Sequence, residues 1–84
     1  MKNWFVYIVR CADNSLYTGI TNNISRRIHE HNNDDRSAAA YTRSRRPVVL
    51  AYQESWQNRS QAAKREYQIK MLSKIDKERL ICDA

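Results

Sequence analysis

A chain of 84 residues makes one small domain, here 1–84, able to bury about 60–65% of its unfolded surface. Its 42% apolar content excludes disorder, and its longest apolar run, Trp4 to Val9, excludes a membrane-spanning helix. Fifteen Lys/Arg against nine Asp/Glu give a net charge of +6, which suits a polyanionic partner. The excess is concentrated: between Arg36 and Arg46 lie Arg43 and Arg45, with no acidic residue in the stretch. No basic-then-apolar signal segment opens the chain. Cys11 and Cys82 lack metal or redox spacing and read as reduced, core-lining residues, so the expected location is cytoplasmic.

In chain order, residues 4–10 predict a first strand, apolar on both faces and therefore covered on both. Asp13-Asn14-Ser15 supplies turn chemistry, and residues 15–20 return antiparallel. Asn22 or Asn23 caps a helix to about residue 32, with Ile24, Ile28 and His31 along its inner stripe. Residues 32–46 read as a long polar loop ended by Pro47, and Val48 to Tyr52 form a third strand. A second helix runs from Asn58 or Ser60 to Leu72, and Ser73 with Asp76 caps a last one through Leu80. The order β-β-α-β-α-α predicts an α+β fold, a three-stranded antiparallel sheet flanked by helices.

Gly19 is the only glycine, and it directly follows Tyr17-Thr18 in the second strand. A lone glycine marks a place where a side chain is not tolerated, and Tyr7 in the facing strand makes this pair the candidate site. Tyr7 and Tyr17 are expected side by side on one face of the sheet. Each long helix carries a charge on its inner side: Arg27 among Ile24, Ile28 and His31, and Glu66 with Ala62 and Ile69. Unpaired buried charges are costly. Either the two pair with each other or with a tyrosine, or both face a cleft where Arg27 binds phosphate and Glu66 a cation.

The order Val6-Tyr7-Ile8, Tyr17-Thr18-Gly19 and Ser25-Arg26-Arg27-Ile28-His29-Glu30-His31-Asn32, followed by Glu66, resembles the GIY-YIG nuclease domain over nearly the whole chain. With Tyr41-Thr42-Arg43-Ser44-Arg45-Arg46-Pro47, it is most similar to the small single-domain bacterial members. The first motif reads Phe5-Val6-Tyr7 rather than Gly-Ile-Tyr, and residues 67–84 lack the asparagine several family nucleases use. The resemblance implies catalytic roles for Tyr7, Tyr17, Arg27, His31 and Glu66. In it the tyrosines position or deprotonate water, Arg27 binds the scissile phosphate, and Glu66 holds one weakly bound Mg2+ or Mn2+. Arg27, Tyr41, Arg43, Arg45, Arg46 and Lys70 are the candidate nucleic-acid contacts.

The chemistry is coherent on these residue types. An arginine grips two phosphate oxygens, and one carboxylate suffices for a Mg2+ that keeps its waters. A free tyrosine titrates near about 10, so Arg27 and a cation are expected to favour a phenolate at Tyr7 or Tyr17. His31 is equally readable as a structural helix-end histidine, and Tyr41 as a loop cover. Three functions stay open. One is a metal-dependent endonuclease acting on DNA, branched or single-stranded, in repair or processing, with a protein partner supplying specificity. The second is a nucleic-acid-binding module with the nuclease fold and little or no activity. The third is an interaction module that contributes the fold to a larger complex.

Overall fold

The computed structural model describes residues 3–84. Its elements are β1 (Trp4–Arg10), β2 (Leu16–Thr21), α1 (Ile24–Asn33), α2 (Ala40–Arg43), β3 (Val49–Trp56), α3 (Arg59–Lys70) and α4 (Lys74–Cys82). The three strands form one antiparallel sheet in the order β2-β1-β3. Strand β1 is central, which accounts for its apolar residues on both faces. Val6 and Ile8 pack with Ala62 and Ile69 of α3. Tyr7 and Val9 point the other way and pack with Cys11, Val48, Ile24 and Ile28.

Local chemistry sets the boundaries. The hairpin turns at Asn14, which adopts φ 71°, while the Asp13 carboxylate accepts from the Ser15 amide at 3.0 Å. Asn23, Asn58 and Ser73 cap α1, α3 and α4, each side chain accepting from the amide three residues on. Helix α4 is tied to the hairpin by Arg10, which donates twice to Glu78 at 2.7 Å, and by Lys74, which donates to the Asn14 carbonyl at 2.8 Å. The Arg10 hydrogen bonds hold the Glu78 carboxyl down at about 2.

Three sequence expectations change. The third strand begins at Val49 and runs on to Trp56, through Gln53-Glu54-Ser55. Alternation continues there, but its inward position is a glutamate. Glu54 is satisfied by Trp56 Nε1 at 2.9 Å, Arg65 Nε at 2.8 Å and the Tyr52 hydroxyl. The 32–46 segment is not all loop, because Ala40–Arg43 forms one helical turn with Thr42 buried. Cys11 is buried and free as expected, whereas Cys82 is exposed on the outer side of α4.

Tyr7 stands opposite Gly19 and Val9 opposite Tyr17, so both tyrosines share one face, as the alternation predicts. Gly19 has no positive φ; its role is steric. A Cβ at residue 19 would lie 2.5 Å from the Tyr7 hydroxyl oxygen and 2.7 Å from its Cζ. The phenol therefore lies flat across the backbone of β2. Tyr7 is 1% exposed and cannot swing aside freely. Gly19→Ala is expected to cost about 1–3 kcal/mol as an overpacking substitution. Introduced into Tyr7→Ala, the same change should cost far less. Thermal melting of the four proteins in this cycle checks the pair, and equal costs in both backgrounds would remove the contact from the explanation.

Candidate active site around Tyr7

The site is assembled at the β2 edge. Helix α1 crosses the tyrosine face and inserts His31, which is fully buried. The Tyr7 hydroxyl lies 2.8 Å from His31 Nε2, and Thr42 Oγ1 lies 2.9 Å from His31 Nδ1. Arg46 donates from Nε to the His31 carbonyl at 2.6 Å and from Nη1 to Asp35 at 2.8 Å. Its Nη2 is buried with no partner. Asn32 pairs its amide with both backbone groups of Val48, at 3.0 and 2.7 Å, pinning the segment's far end to α1.

The two helix charges do not pair with each other. Arg27 donates to Glu30 at 3.0 Å and to the Ser37 carbonyl at 2.6 Å. Glu66 pairs with Lys70 at 3.3 Å and is 22% exposed along its side chain. Helix α3 packs on the opposite face of the sheet, yet Lys70 Nζ sits 5.8 Å from the Tyr17 ring centroid. Its polar residues thus reach around the β2 edge toward the tyrosines. The Tyr7 phenol feels Arg27, Tyr17 and Glu66 together.

Tyr17 is half-buried between aromatic neighbours. Its ring meets His31 edge-on at 5.6 Å and stacks on Tyr41 at 5.9 Å. The Arg45 guanidinium lies 4.0 Å over Tyr41 and is held by Asp13 at 3.1 Å. One face of Tyr41 is thereby covered by a cation and the ring also packs on Tyr17. Arg43 is exposed and donates to the Asp35 carbonyl at 2.8 Å. Of the basic loop, Arg46 is the most committed, 25% exposed with its guanidinium turned inward. Thr42 was not recognisable as part of the site, since a lone threonine in a polar stretch carries no periodic signal.

Electrostatics at Tyr7 favour the protonated phenol when Arg27 acts without a cation. Burial pushes the Tyr7 phenol up to about 12, against the opposing pull of the Arg27 charge. A phenolate is thus not preformed. Burial likewise pushes His31 down to about 4, reinforced by Arg27 and Arg46 and opposed by Glu30. At neutral pH a neutral phenol faces a neutral imidazole. Among the described residues no cluster of three His, Cys, Asp or Glu could form a metal cage. Glu66 is a donor only for an ion that brings its own waters and shares ligand oxygens.

The model of the GIY-YIG catalytic domain matches residues 3–79. The chain belongs to the GIY-YIG family. Among its relatives, UPF0213 protein DP2720 of Desulfotalea psychrophila is 62% identical over 93% of this chain and 70% of its own length. UPF0213 protein SH2523 of Staphylococcus haemolyticus is 51% identical over 96% of both chains. The solution structure of the UPF0213 protein BH0048 from Bacillus halodurans is similar at a TM-score of 0.60. It is 39% identical and aligns over 95% of this chain and 83% of that one. Among the described residues of this GIY-YIG domain, no helix is long and apolar enough to cross a membrane.

In this GIY-YIG domain His31 makes stability pH-dependent. Its folded value, about 4, lies below the ordinary 6.5, so between them the unfolded chain binds a proton that the fold refuses. Stability is therefore complete above about 6.5 and falls as pH drops toward about 4, by about 2 kcal/mol at pH 5. Urea unfolding at pH 7.5, 6 and 5 measures it. His31→Gln should flatten this part of the profile; an equal slope in both proteins would place the titration elsewhere.

Proposed function

We propose that this domain is a divalent-metal-dependent endonuclease that hydrolyses phosphodiester bonds in DNA. GIY-YIG membership makes a nucleic-acid substrate the natural class. The observation that carries the reading further is the 2.8 Å contact of Tyr7 with His31, with the Arg27 and Glu66 charges acting on the same hydroxyl. A buried tyrosine needs one satisfied hydrogen bond, not two flanking charges of opposite sign at a sheet edge.

The residues divide the work. Arg27, 23% exposed along its side chain and within reach of Tyr7, takes two oxygens of the scissile phosphate. Tyr7 takes a proton from water as it passes its own to His31 Nε2, which ends as imidazolium. The hydroxide adds to phosphorus and the ester oxygen departs with a proton from solvent; the proton held on His31 goes back through Tyr7 to solvent, which resets the pair. Since the phenol is held neutral, the two transfers are coupled. An arriving phosphate draws Arg27's charge away from His31 and makes the imidazole a better acceptor. Tyr17 holds the ring of His31 from its edge and orients water beside Tyr7. Glu66 would hold Mg2+ or Mn2+, which when bound supplies charge stabilisation at the phosphate.

One observation favours a second reading. Lys70 already neutralises Glu66, and a cation must displace it. A domain that kept this ion pair would bind nucleic acid without cutting it. Purified protein with branched, nicked and single-stranded DNA and Mg2+ or Mn2+ separates the two. Metal-dependent cleavage is expected, reduced by about 100-fold or more in Tyr7→Phe, Arg27→Ala and Glu66→Ala; melting should change little in Glu66→Ala and fall in Tyr7→Phe, which strips His31 Nε2 of its partner. DNA binding without cleavage by the wild type on any of these substrates establishes the binding module instead.

DNA affinity should also report the basic loop. Arg43 is exposed and Arg45 is half-buried over Tyr41, whereas Arg46 is turned inward. Arg43→Ala with Arg45→Ala is expected to lower the log–log salt slope of binding by about 1–2. Fluorescence anisotropy titrations at several salt concentrations give the slope; no change would place the phosphate track elsewhere.

A further inference from the structure

The Thr42 hydroxyl has one proton and two neighbours. The Ala39 carbonyl oxygen lies 3.0 Å from Oγ1, and His31 Nδ1 lies 2.9 Å from it. A carbonyl only accepts, so the threonine proton goes to Ala39. Toward His31, Oγ1 is then an acceptor, which requires the hydrogen on Nδ1. A neutral imidazole has one N–H, and Nε2 is left bare. That bare nitrogen is the atom facing the Tyr7 hydroxyl, 2.8 Å away. This arrangement alone gives every one of the three contacts a proton. With the hydrogen on Nε2 instead, Thr42 would have to donate to Nδ1 and its contact with Ala39 would hold none.

We propose that Thr42 is a positioning residue that locks His31 in the Nδ1–H form and so aims the Tyr7 proton toward Nε2. The inference rests on Tyr7 and His31 forming the proton pair of the proposed hydrolysis, but the lock itself exists without substrate. Thr42 is fully buried, so it acts only through His31. Its place is secured by α2, whose first turn closes when the Thr42 and Arg43 amides donate to the Ala39 carbonyl at 3.1 and 3.0 Å. The groups facing His31 are Tyr7 from β1, Tyr17 from β2, Arg27 and Glu30 from α1, Thr42 from α2 and Arg46 from the segment before β3. None of the charged ones touches Nδ1. The threonine is the ring's only partner there among the described residues.

Long-range nitrogen–proton NMR of the free protein reads the tautomer directly, with His29→Gln assigning the two histidines. The expected pattern is a protonated Nδ1 and a bare Nε2 at pH 7. Thr42→Val keeps the shape and removes the hydroxyl; it should yield a mixed or reversed pattern, while Thr42→Ser keeps the wild-type one. If the valine variant unfolds, the wild-type and serine spectra still decide. In the cleavage assay, Thr42→Val should lose about 10-fold or more in kcat with KM changed less than about twofold, and Thr42→Ser should recover most of it. An Nε2–H tautomer in the wild type, or an unchanged tautomer in Thr42→Val, overturns the lock. A correct lock in a protein that cleaves no DNA leaves Thr42's role intact and sinks the nuclease reading alone.

Discussion

A histidine without solvent, hydrogen-bonded at both ring nitrogens, organises half of this molecule. His31 comes from α1, its Nε2 partner from β1 and its Nδ1 partner from α2. Burying an imidazole in this way is tolerable only in the neutral form and only if both nitrogens find partners. That requirement makes residues 34–46 fold back over α1 instead of running straight to β3. Arg46 completes the return by capping the carbonyl of the same histidine. The segment that composition marks as a phosphate-binding loop is in the first place the wall of a histidine pocket.

Charge in that wall is organised inward as much as outward. Arg45 is engaged by Asp13 and lies over Tyr41, Arg43 bonds a backbone carbonyl, and Arg46 bridges His31 and Asp35. Cations with partners are pre-ordered, so presenting them to a polyanion costs less side-chain entropy than ordering free ones. The opposite face of the sheet follows different logic. There Glu54 gathers Tyr52, Trp56 and Arg65 into a half-buried polar cluster whose hydrogen bonds keep the carboxyl below its usual range despite burial. Its work is to join α3 to β3, and through α3 to bring Glu66 and Lys70 to the β2 edge.

Much of this was legible in the sequence, because the elements obey simple periodicities. The double-faced run from Trp4 to Val9 gave a central strand, Asp13-Asn14-Ser15 gave the hairpin, and three side-chain caps gave the helix starts. Arg27 and Glu66 stood out as charges on inner faces. What stayed hidden depended on polar residues used as core. Glu54 masks the alternation of β3, and Thr42 masks a helical turn too short to show a period. The expected phenolate, at Tyr7 or Tyr17, draws on Arg27 and a cation together; at Tyr7, desolvation outweighs Arg27 by itself. Burial is the quantity that a linear sequence reports worst, and both the phenol and the imidazole are set by it. Cys82 illustrates the same gap, since one position of helical phase separates a core residue from an exposed one.

The phenol laid across Gly19 has a consequence for how sequences of this kind can vary. Two positions twelve residues apart, 7 and 19, share a single volume. Any residue larger than glycine at the second position evicts an aromatic ring from the first, and with the ring goes the hydroxyl. The pair therefore drifts together or stays fixed together. A relative with alanine in place of Gly19 can keep the sheet, the helices and every basic residue. It cannot keep the tyrosine where this one lies. The glycine, which has no functional group at all, is the position from which the loss of the chemistry can be read.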